Sequence, residues 1–222
     1  MEPGPQILIA DDHGVFADGL RLLLEKRYNV VGTASDGREL VDQALRLRPD
    51  VIVVDIGMPH LNGLDAAKRV REQLPKVKLV FLTMQDNPNL AAATLELGSV
   101  AFVLKQSAGS ELLTAIDQVL QGKCYVTSKL RPEDWAVQRV RARQYSSHLT
   151  PRQREIVQMC AEGLAQKEIA GRLNLSEKTV EFHKHRIMET FNLKSNADLV
   201  LFAVKEGLIS VDPNPSRQPP ST

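Results

Sequence analysis

The chain has 222 residues, of which 43% are hydrophobic and 25% are charged, a composition that predicts two modest domains with ordinary hydrophobic cores. No apolar run approaches the roughly 18 residues of a membrane span, the start MEPGPQ has no basic region, and the two cysteines lack metal-site spacing. These features argue against a membrane partner, a disulfide and a cysteine metal site, and they predict a cytoplasmic protein.

The net charge of +1 combines two oppositely charged halves. Residues 1–122 contain 12 Lys and Arg against 16 Asp and Glu, whereas residues 123–222 contain 16 against 11. A basic second half indicates that this part of the chain meets a polyanion, although basic surfaces are also common where they are only solvated.

Four short apolar runs in the first half each end in a side chain that can carry chemistry. The runs are QILIA before Asp11 and Asp12, VIVV before Asp55, LVFL before Thr83, and VAFVL before Lys105. Short runs rich in β-branched residues, separated by stretches of helix length, predict a parallel sheet with helices on both faces. The carboxyl ends of such strands meet in one crevice, where ligands bind.

Three carboxylates gathered in one crevice repel each other unless a cation lies among them. Mg²⁺ fits because it binds one or two carboxylates and coordinates phosphate oxygens. Lys105 and the hydroxyl of Thr83 are suited to phosphoryl oxygens, and Asp55 is then the nucleophile that forms an acyl phosphate. Any one acidic residue at a strand end is as often a helix cap or a solvated turn. The five side chains taken together favour a phosphoryl site: Asp11, Asp12, Asp55, Thr83 and Lys105.

The second half predicts four short helices between residues 150 and 206. Thr150 caps the first helix with Gln153 in a capping box, and the second helix, at about 166–173, stops at Asn174. Ser176 caps a third helix at about 177–191, so two helices are joined by a short turn, as in a helix-turn-helix.

The third helix is the predicted recognition helix. One face is expected to enter the major groove, while neighbouring basic side chains and the N-terminal amides meet phosphates of double-stranded DNA. The candidate DNA contacts are Lys178, Thr179, Glu181, Phe182, Lys184, His185 and Arg186.

The fourth helix, from a Ser195 cap to Gly207, is apolar most of the way round. Such a helix should be buried on two sides, one by its own domain and the other by a second copy of the chain. Cover by the first domain in an inactive state is the alternative, and both can hold in turn. The candidate dimer residues are Leu199, Val200, Ala203 and Val204.

These patterns divide the chain into four parts. We expect a first domain at 5–122, a partly helical linker at 123–147, a DNA-binding domain at 148–208 and a disordered tail at 209–222.

The chain resembles the bacterial two-component response regulators, within them the NarL/FixJ subgroup, from about residue 6 to about residue 208. In the first domain the resemblance rests on the Asp11-Asp12 pair, on Asp55 with the following MP and NG pairs, on Thr83, and on the stretch ending at Lys105. In the second domain LTPRQREIV, KEIAGRLNLSEKTVEFH and IMETFNL resemble the LuxR-type DNA-binding domain. The resemblance implies a flavodoxin-like, doubly wound, five-stranded parallel receiver domain followed by an all-α helix-turn-helix domain.

The resemblance also implies how the phosphoryl site is used. Asp55 would be phosphorylated by a sensor histidine kinase, and the Mg²⁺ site would comprise Asp11 (through water), Asp12, Asp55 and the carbonyl of Gly57. Phosphorylation would promote homodimerisation and promoter binding, with RNA polymerase as a further partner.

Thr83 and Lys105 would sense the phosphoryl group, and Phe102 would switch between outward and inward rotamers. The family often has tyrosine at the position of Phe102, so a hydrogen bond from that hydroxyl is lost here. The family also frequently carries lysine where this chain has Glu181, and lysine or arginine at His185, so the target sequence is less transferable than the fold.

Two other functions fit parts of the sequence. A phosphoaspartate phosphatase resembling the haloacid dehalogenases would need a second aspartate two residues after Asp55, where this chain has Gly57. The alternative is a DNA-binding regulator whose receiver dimerises without phosphorylation. Phe102 and the bulky Met84 leave room for it, whereas the intact set of Asp11, Asp12, Asp55, Thr83 and Lys105 argues against it. We therefore expect no enzyme beyond self-phosphorylation from a phosphodonor and autodephosphorylation at Asp55.

Overall fold

The computed structural model describes residues 4–98, 100–130 and 149–209. Positions 131–147 of the predicted linker, and the tail from residue 210 onward, lie outside the described residues. None of the described helices has the length and apolar character needed to cross a membrane.

The first domain contains a parallel sheet with strand order β2-β1-β3-β4-β5-β6. The strands are β1 (Gln6–Ala10), β2 (Asn29–Ala34), β3 (Val51–Asp55), β4 (Lys78–Thr83), β5 (Val100–Leu104) and β6 (Tyr125–Val126). Five strands follow the prediction. The sixth is a two-residue edge strand in the segment predicted as linker, and it pairs with Ala101 and Phe102 of β5. Two residues are too short to give a sequence signal.

Five α-helices cover the two faces of this sheet. They are α1 (Gly14–Leu24), α2 (Gly37–Leu47), α3 (Gly63–Gln73), α4 (Pro88–Leu95) and α5 (Ala108–Leu120). One core lies between the sheet and α2, α3 and α4, and a second lies between the opposite face and α1 and α5. Because β1, β3, β4 and β5 are buried on both faces, their sequences are almost continuously apolar rather than alternating.

The strand order fixes where a ligand can bind. The chain passes from β1 outward to β2 and then returns to β3 on the other side of β1. The connections therefore diverge above the carboxyl ends of β1 and β3, which is where a doubly wound sheet opens a crevice. Asp11 and Asp55 lie at these two strand ends.

The second domain is a bundle of four helices. They are α6 (Pro151–Ala161), α7 (Gln166–Leu173), α8 (Glu177–Thr190) and α9 (Asn196–Lys205). Thr150, Ser176 and Ser195 cap α6, α8 and α9 as the sequence predicts, each accepting a hydrogen bond from a backbone amide of the first turn. Asn174 ends α7 in the left-handed conformation, with φ of 52°, and so turns the chain toward α8.

The second domain lies against the first. Helix α6 contacts α3 and the segment that joins β3 to α3, and Gly207 at the end of α9 lies beside Leu90 of α4. The residues between β3 and α3 thus have the phosphoacceptor candidate on one side and the second domain on the other.

Candidate phosphoacceptor site and DNA-binding surface

The sheet brings the predicted acidic residues and Lys105 together. Asp55 is the last residue of β3, and Asp11 and Lys105 directly follow β1 and β5. The Lys105 Nζ lies 2.7 Å from Asp11 Oδ2 and 2.7 Å from Asp55 Oδ2. One ammonium group therefore bridges two carboxylates at the carboxyl edge of the sheet.

The two carboxylates and the ring of Phe16 hold Lys105 in this position. Its side chain is buried, and its Nζ lies 4.8 Å from the centre of the Phe16 ring on α1, within the range of a cation–π contact. Burial alone would lower the pKa of Lys105, but the carboxylates of Asp55 and Asp11 outweigh it and raise the pKa. Lys105 is therefore a fixed positive charge. The packing of Phe16 on it was not predicted, since a phenylalanine in an amphipathic helix has the pattern of an ordinary core residue.

Both oxygens of Asp55 accept hydrogen bonds. Oδ2 accepts from Lys105, and Oδ1 accepts from the backbone N–H of Gly57 at 3.0 Å. Asp55 is only 4% exposed, and this burial raises its pKa, as does the charge of Asp11, while Lys105 opposes the shift. The Asp55 carboxylate is therefore held in one orientation and shielded from water, and the one positive charge of Lys105 does not balance the negative charges around it.

The donor set fits a hard cation. Ligand atoms of Asp11, Asp12, His13 and Asp55 all lie within 4.8 Å of one another. Asp12 Oδ1 has no hydrogen-bond partner, although His13 Nδ1 lies 2.9 Å from it, and burial raises the pKa of Asp12. Lys105 contacts two of the three carboxylates, so the cluster keeps negative charge that a divalent cation with oxygen ligands would neutralise.

His13 also belongs to the site, although the sequence analysis assigns it no role. Its backbone N–H donates to Asp11 Oδ1 at 2.9 Å, and its ring faces Asp12. Its place directly after the acidic pair was the available signal. Gly57 contributes its N–H to Asp55, and a role for its carbonyl stays a prediction.

Thr83 and Phe102 occupy the positions proposed for a switch. Thr83 is the last residue of β4, is 1% exposed, and its Oγ1 accepts a hydrogen bond from the backbone N–H of Gln85 at 3.0 Å. Phe102 is fully buried in β5, where it pairs with Phe81 of β4, two positions before Thr83, whereas Met84 is 56% exposed. The aromatic side chain is therefore in an inward position here.

Helix α8 presents the predicted DNA-contacting residues at the surface of the second domain. Val180 and Ile187 anchor the helix in the bundle, which leaves Lys178, Glu181 and His185 exposed. Phe182 is 59% exposed, which is unusual for a large aromatic side chain. The first domain does not contact these side chains in any described hydrogen bond or ion pair, so this face of α8 is available in the docked arrangement.

The residues predicted to contact DNA differ in how exposed their side chains are. Lys184 is half-buried and lines a shallow depression with Lys178, Glu181, Phe182 and His185, whereas Arg186 is exposed outside it. Thr179 is half-buried, and its hydroxyl lies 2.8 Å from the hydroxyl of Ser176, so it supports the start of α8.

Helix α9 divides the predicted dimer residues into two groups. Leu199 and Ala203 are buried in the core of their own domain, so they are not available for a second copy in this arrangement. Val200 and Val204 are half-buried, and Leu201, which we did not predict, is 68% exposed. The helix is apolar all round, but its own bundle covers more of it than the sequence indicated.

Comparisons with known proteins agree with this two-part construction. Residues 7–117 match the response regulator receiver domain, and residues 147–203 match the LuxR family of bacterial regulatory proteins. The oxygen regulatory protein NreC of Staphylococcus epidermidis is 37% identical over 92% of this chain and 99% of its own length. The uncharacterized transcriptional regulatory protein YxjL of Bacillus subtilis is 31% identical over 92% and 97%.

Solved structures give the same assignment. RcsB from Salmonella enterica serovar Typhimurium, bound to promoter rprA in the presence of the phosphomimetic BeF3⁻, is 28% identical. It covers 90% of this chain and 98% of its own, with a TM-score of 0.61.

The fold and the acidic site together define a receiver domain joined to a helix-turn-helix DNA-binding domain. The chain belongs to the response regulators, and within them to the NarL/FixJ family. This membership confirms the fold class and the class of function that the sequence predicts.

Proposed function

We propose that this protein is a transcription regulator whose DNA binding is controlled by Mg²⁺-dependent phosphorylation of Asp55 by a sensor histidine kinase. The observation that carries the proposal is the buried Asp55 carboxylate, which Lys105 bridges to Asp11 beside a carboxylate of Asp12 that lacks a hydrogen-bond partner. A structural ion pair would need one carboxylate for one lysine, whereas this pocket has three.

The residues of the pocket have separate tasks in phosphoryl transfer. An oxygen of Asp55 forms a bond to phosphorus as the donor's bond to phosphorus breaks, and the donor leaves with the electron pair. Lys105 balances charge on the phosphoryl oxygens, and the hydroxyl of Thr83 donates to one of them. Asp11, Asp12, Asp55 and the carbonyl of Gly57 would hold Mg²⁺, which when bound supplies positive charge to the same oxygens. We propose that phosphorylated Asp55 loses its phosphoryl group by autodephosphorylation.

The output of the proposed regulator is DNA binding as a dimer. The exposed face of α8 and the basic second half support contact with double-stranded promoter DNA. A solved RcsB structure contains two dimers bound to two parallel DNAs, and by analogy two copies of this chain pair on DNA. The exposed apolar side chain of Leu201, beside the half-buried Val200 and Val204, supports α9 as the pairing surface. Such a regulator works where the chromosome is, in the cytoplasm, and RNA polymerase is a further partner.

Intact-mass measurement tests the proposal. Incubation with acetyl phosphate and Mg²⁺ should add one phosphoryl group, EDTA should prevent it, and Asp55→Asn should abolish it. Unchanged labelling of Asp55→Asn, or labelling that persists in EDTA, would reject the site. Equal DNA affinity of the labelled and unlabelled protein would instead favour a receiver that works without phosphorylation.

A further inference from the structure

Several polar residues are buried where the second domain lies against the first. Asn62 and Asp65 of the receiver are 1% and 8% exposed, and Glu155 and Gln158 of α6 are 6% and 0% exposed. Burying a polar side chain costs free energy unless it is hydrogen-bonded. The contact between the domains is therefore specified by its bonding pattern rather than by apolar area alone.

Gln158 binds the backbone of the receiver with both ends of its side-chain amide. Its Oε1 accepts from the N–H of Asn62 at 2.9 Å, and its Nε2 donates to the carbonyl of Met58 at 2.9 Å. Glu162, one turn further along, accepts from the N–H of His60 at 3.1 Å and from Gln158 Nε2 at 2.8 Å. Helix α6 thus fastens the segment 58–62 at three backbone groups.

This segment begins at the phosphoacceptor. The N–H of Gly57 donates to Asp55 Oδ1, and the N–H of Gly63 donates to the carbonyl of Ile56 at 2.9 Å. Helix α3 approaches the strand so closely that a Cβ at Gly63 would lie 1.9 Å from the carbonyl oxygen of Asp55. The segment 56–62 consequently cannot shift far without moving the groups that hold Asp55.

Two ion pairs join α6 to α3, and of these only the Arg69–Glu155 pair is remote from the segment, because Asp65 also accepts a hydrogen bond from the side chain of Asn62. Arg154 Nε lies 2.7 Å from Asp65 Oδ2, and Arg69 pairs with Glu155. Burial alone would raise the pKa of Asp65, but the charges of Arg154 and Lys68 lower it. Both pairs secure the domain contact without touching the backbone of 58–62, and the Arg69–Glu155 pair is therefore the control for domain release in general.

We propose that Gln158 is a positioning residue for Asp55, which acts through the backbone of segment 56–62 and slows phosphoryl uptake while the DNA-binding domain is docked. The N–H of Gly57 on Oδ1 and Lys105 on Oδ2 set the direction in which Asp55 presents its free lone pairs, so reorienting the carboxylate toward phosphorus moves it against the Gly57 amide. The Gly57 amide turns away only if the segment moves, and Gln158 holds the segment. This inference rests on the proposed function.

The test compares two Gln→Met variants of the full chain. Gln158→Met keeps the size of the side chain and removes both backbone bonds. Gln153→Met is the matched control on the same helix, because the Gln153 side chain accepts from the N–H of Thr150 in its own capping box. With acetyl phosphate and Mg²⁺, where the new bond from Asp55 to phosphorus replaces the donor's bond to acetate, we expect Gln158→Met to be labelled about tenfold faster than wild type, from the loss of two hydrogen bonds. Gln153→Met should be labelled at the wild-type rate.

A third variant, Arg69→Met, separates positioning from general release of the domain. It breaks the pair with Glu155 and leaves the Gln158 bonds in place, so it should be labelled far more slowly than Gln158→Met. Equal acceleration by Arg69→Met, or a wild-type rate for Gln158→Met, would overturn the inference while wild-type labelling at Asp55 still supports the proposed function.

Hydrogen exchange gives a readout that does not need phosphorylation. Peptides that cover 55–63 should exchange faster in Gln158→Met than in Gln153→Met, with the increase including the amides of Gly57 and Gly63, which Gln158 does not touch. An increase confined to Asn62 would show that the segment does not transmit the change, and it would refute the positioning role. Wild-type protein that takes up no phosphoryl group would contradict the proposed function alone.

Discussion

Removal of the Lys105 charge should destabilise the receiver domain unless a carboxylate is removed with it. In Lys105→Met the oxygens of Asp11 and Asp55, each 2.7 Å from Nζ, lose their shared partner. A contact of this length is worth about 6 kcal/mol at an effective dielectric constant of 20, before the cost of desolvating Lys105 is subtracted. Breaking a buried ion pair typically costs about 3–5 kcal/mol net. Protonation of Asp55, whose pKa is already raised, relieves part of this, so we expect a loss of about 3 kcal/mol.

Urea unfolding in EDTA at pH 7.5, followed by a signal from the receiver, measures this loss. It corresponds to a fall in Tm of roughly 10–15 °C for a domain of this size. The double variant Lys105→Met/Asp55→Asn should recover more than half of the lost stability, because one of the two unpaired carboxylates is gone. A loss below about 1 kcal/mol, or a double variant no more stable than the single one, would show that the lysine does not compensate these carboxylates.

Three further predictions concern DNA, pairing and pH. Lys184→Ala should weaken binding to all DNA sequences and lower the salt slope by about 1. Glu181→Ala should relax discrimination at one base pair by roughly 1–3 kcal/mol if the carboxylate accepts from cytosine, or tighten binding to every site if it repels phosphate. Titrations at several salt concentrations separate these results, and no effect from either variant would show that α8 does not enter the major groove. Leu201→Glu should leave Asp55 labelling intact and reduce cooperative occupancy of full operators, and undiminished cooperativity would place the dimer surface elsewhere. Burial raises the pKa of Asp55 in the folded protein, so the contribution of Asp55 to the free energy of unfolding is complete below its unfolded pKa of about 3.9 and is lost as the pH rises through its folded pKa. Asp55→Asn in EDTA should flatten that part of the plot of unfolding free energy against pH. An unchanged plot would contradict the raised pKa.

The amino-acid sequence was sufficient to predict which side chains meet at one edge of the sheet, because a parallel sheet imposes its own geometry. Once VIVV and QILIA are adjacent parallel strands, Asp55 and Asp11 must emerge at the same edge, whatever packs around them. The caps at Thr150, Ser176 and Ser195 were equally predictable, since each depends on a hydrogen bond within its own first turn. These features are local, or they follow from the repeat of a regular element.

Only the tertiary structure decided which apolar side chains of α9 are free. Leu199 and Leu201 are chemically the same, and two positions apart on a helix they point in different directions. Their burial depends on where α6 lies, which leaves Leu199 at 2% exposed and Leu201 at 68% exposed. The apolar sequence of a helix therefore predicts that the helix is buried, but it does not predict which part of the protein covers each side chain.

The same limit applies to the contact between the domains. Gln158 lies in α6 between the apolar residues Val157 and Met159, and the sequence gives no sign that its amide binds the backbone of Asn62 and Met58, about 100 positions earlier in the chain. Polar contacts over such distances depend on how two finished domains dock, and docking depends on surfaces that exist only after each domain has folded. The sequence therefore determined the two domains and which side chains meet beside Asp55, and the tertiary structure decided how one domain holds the other.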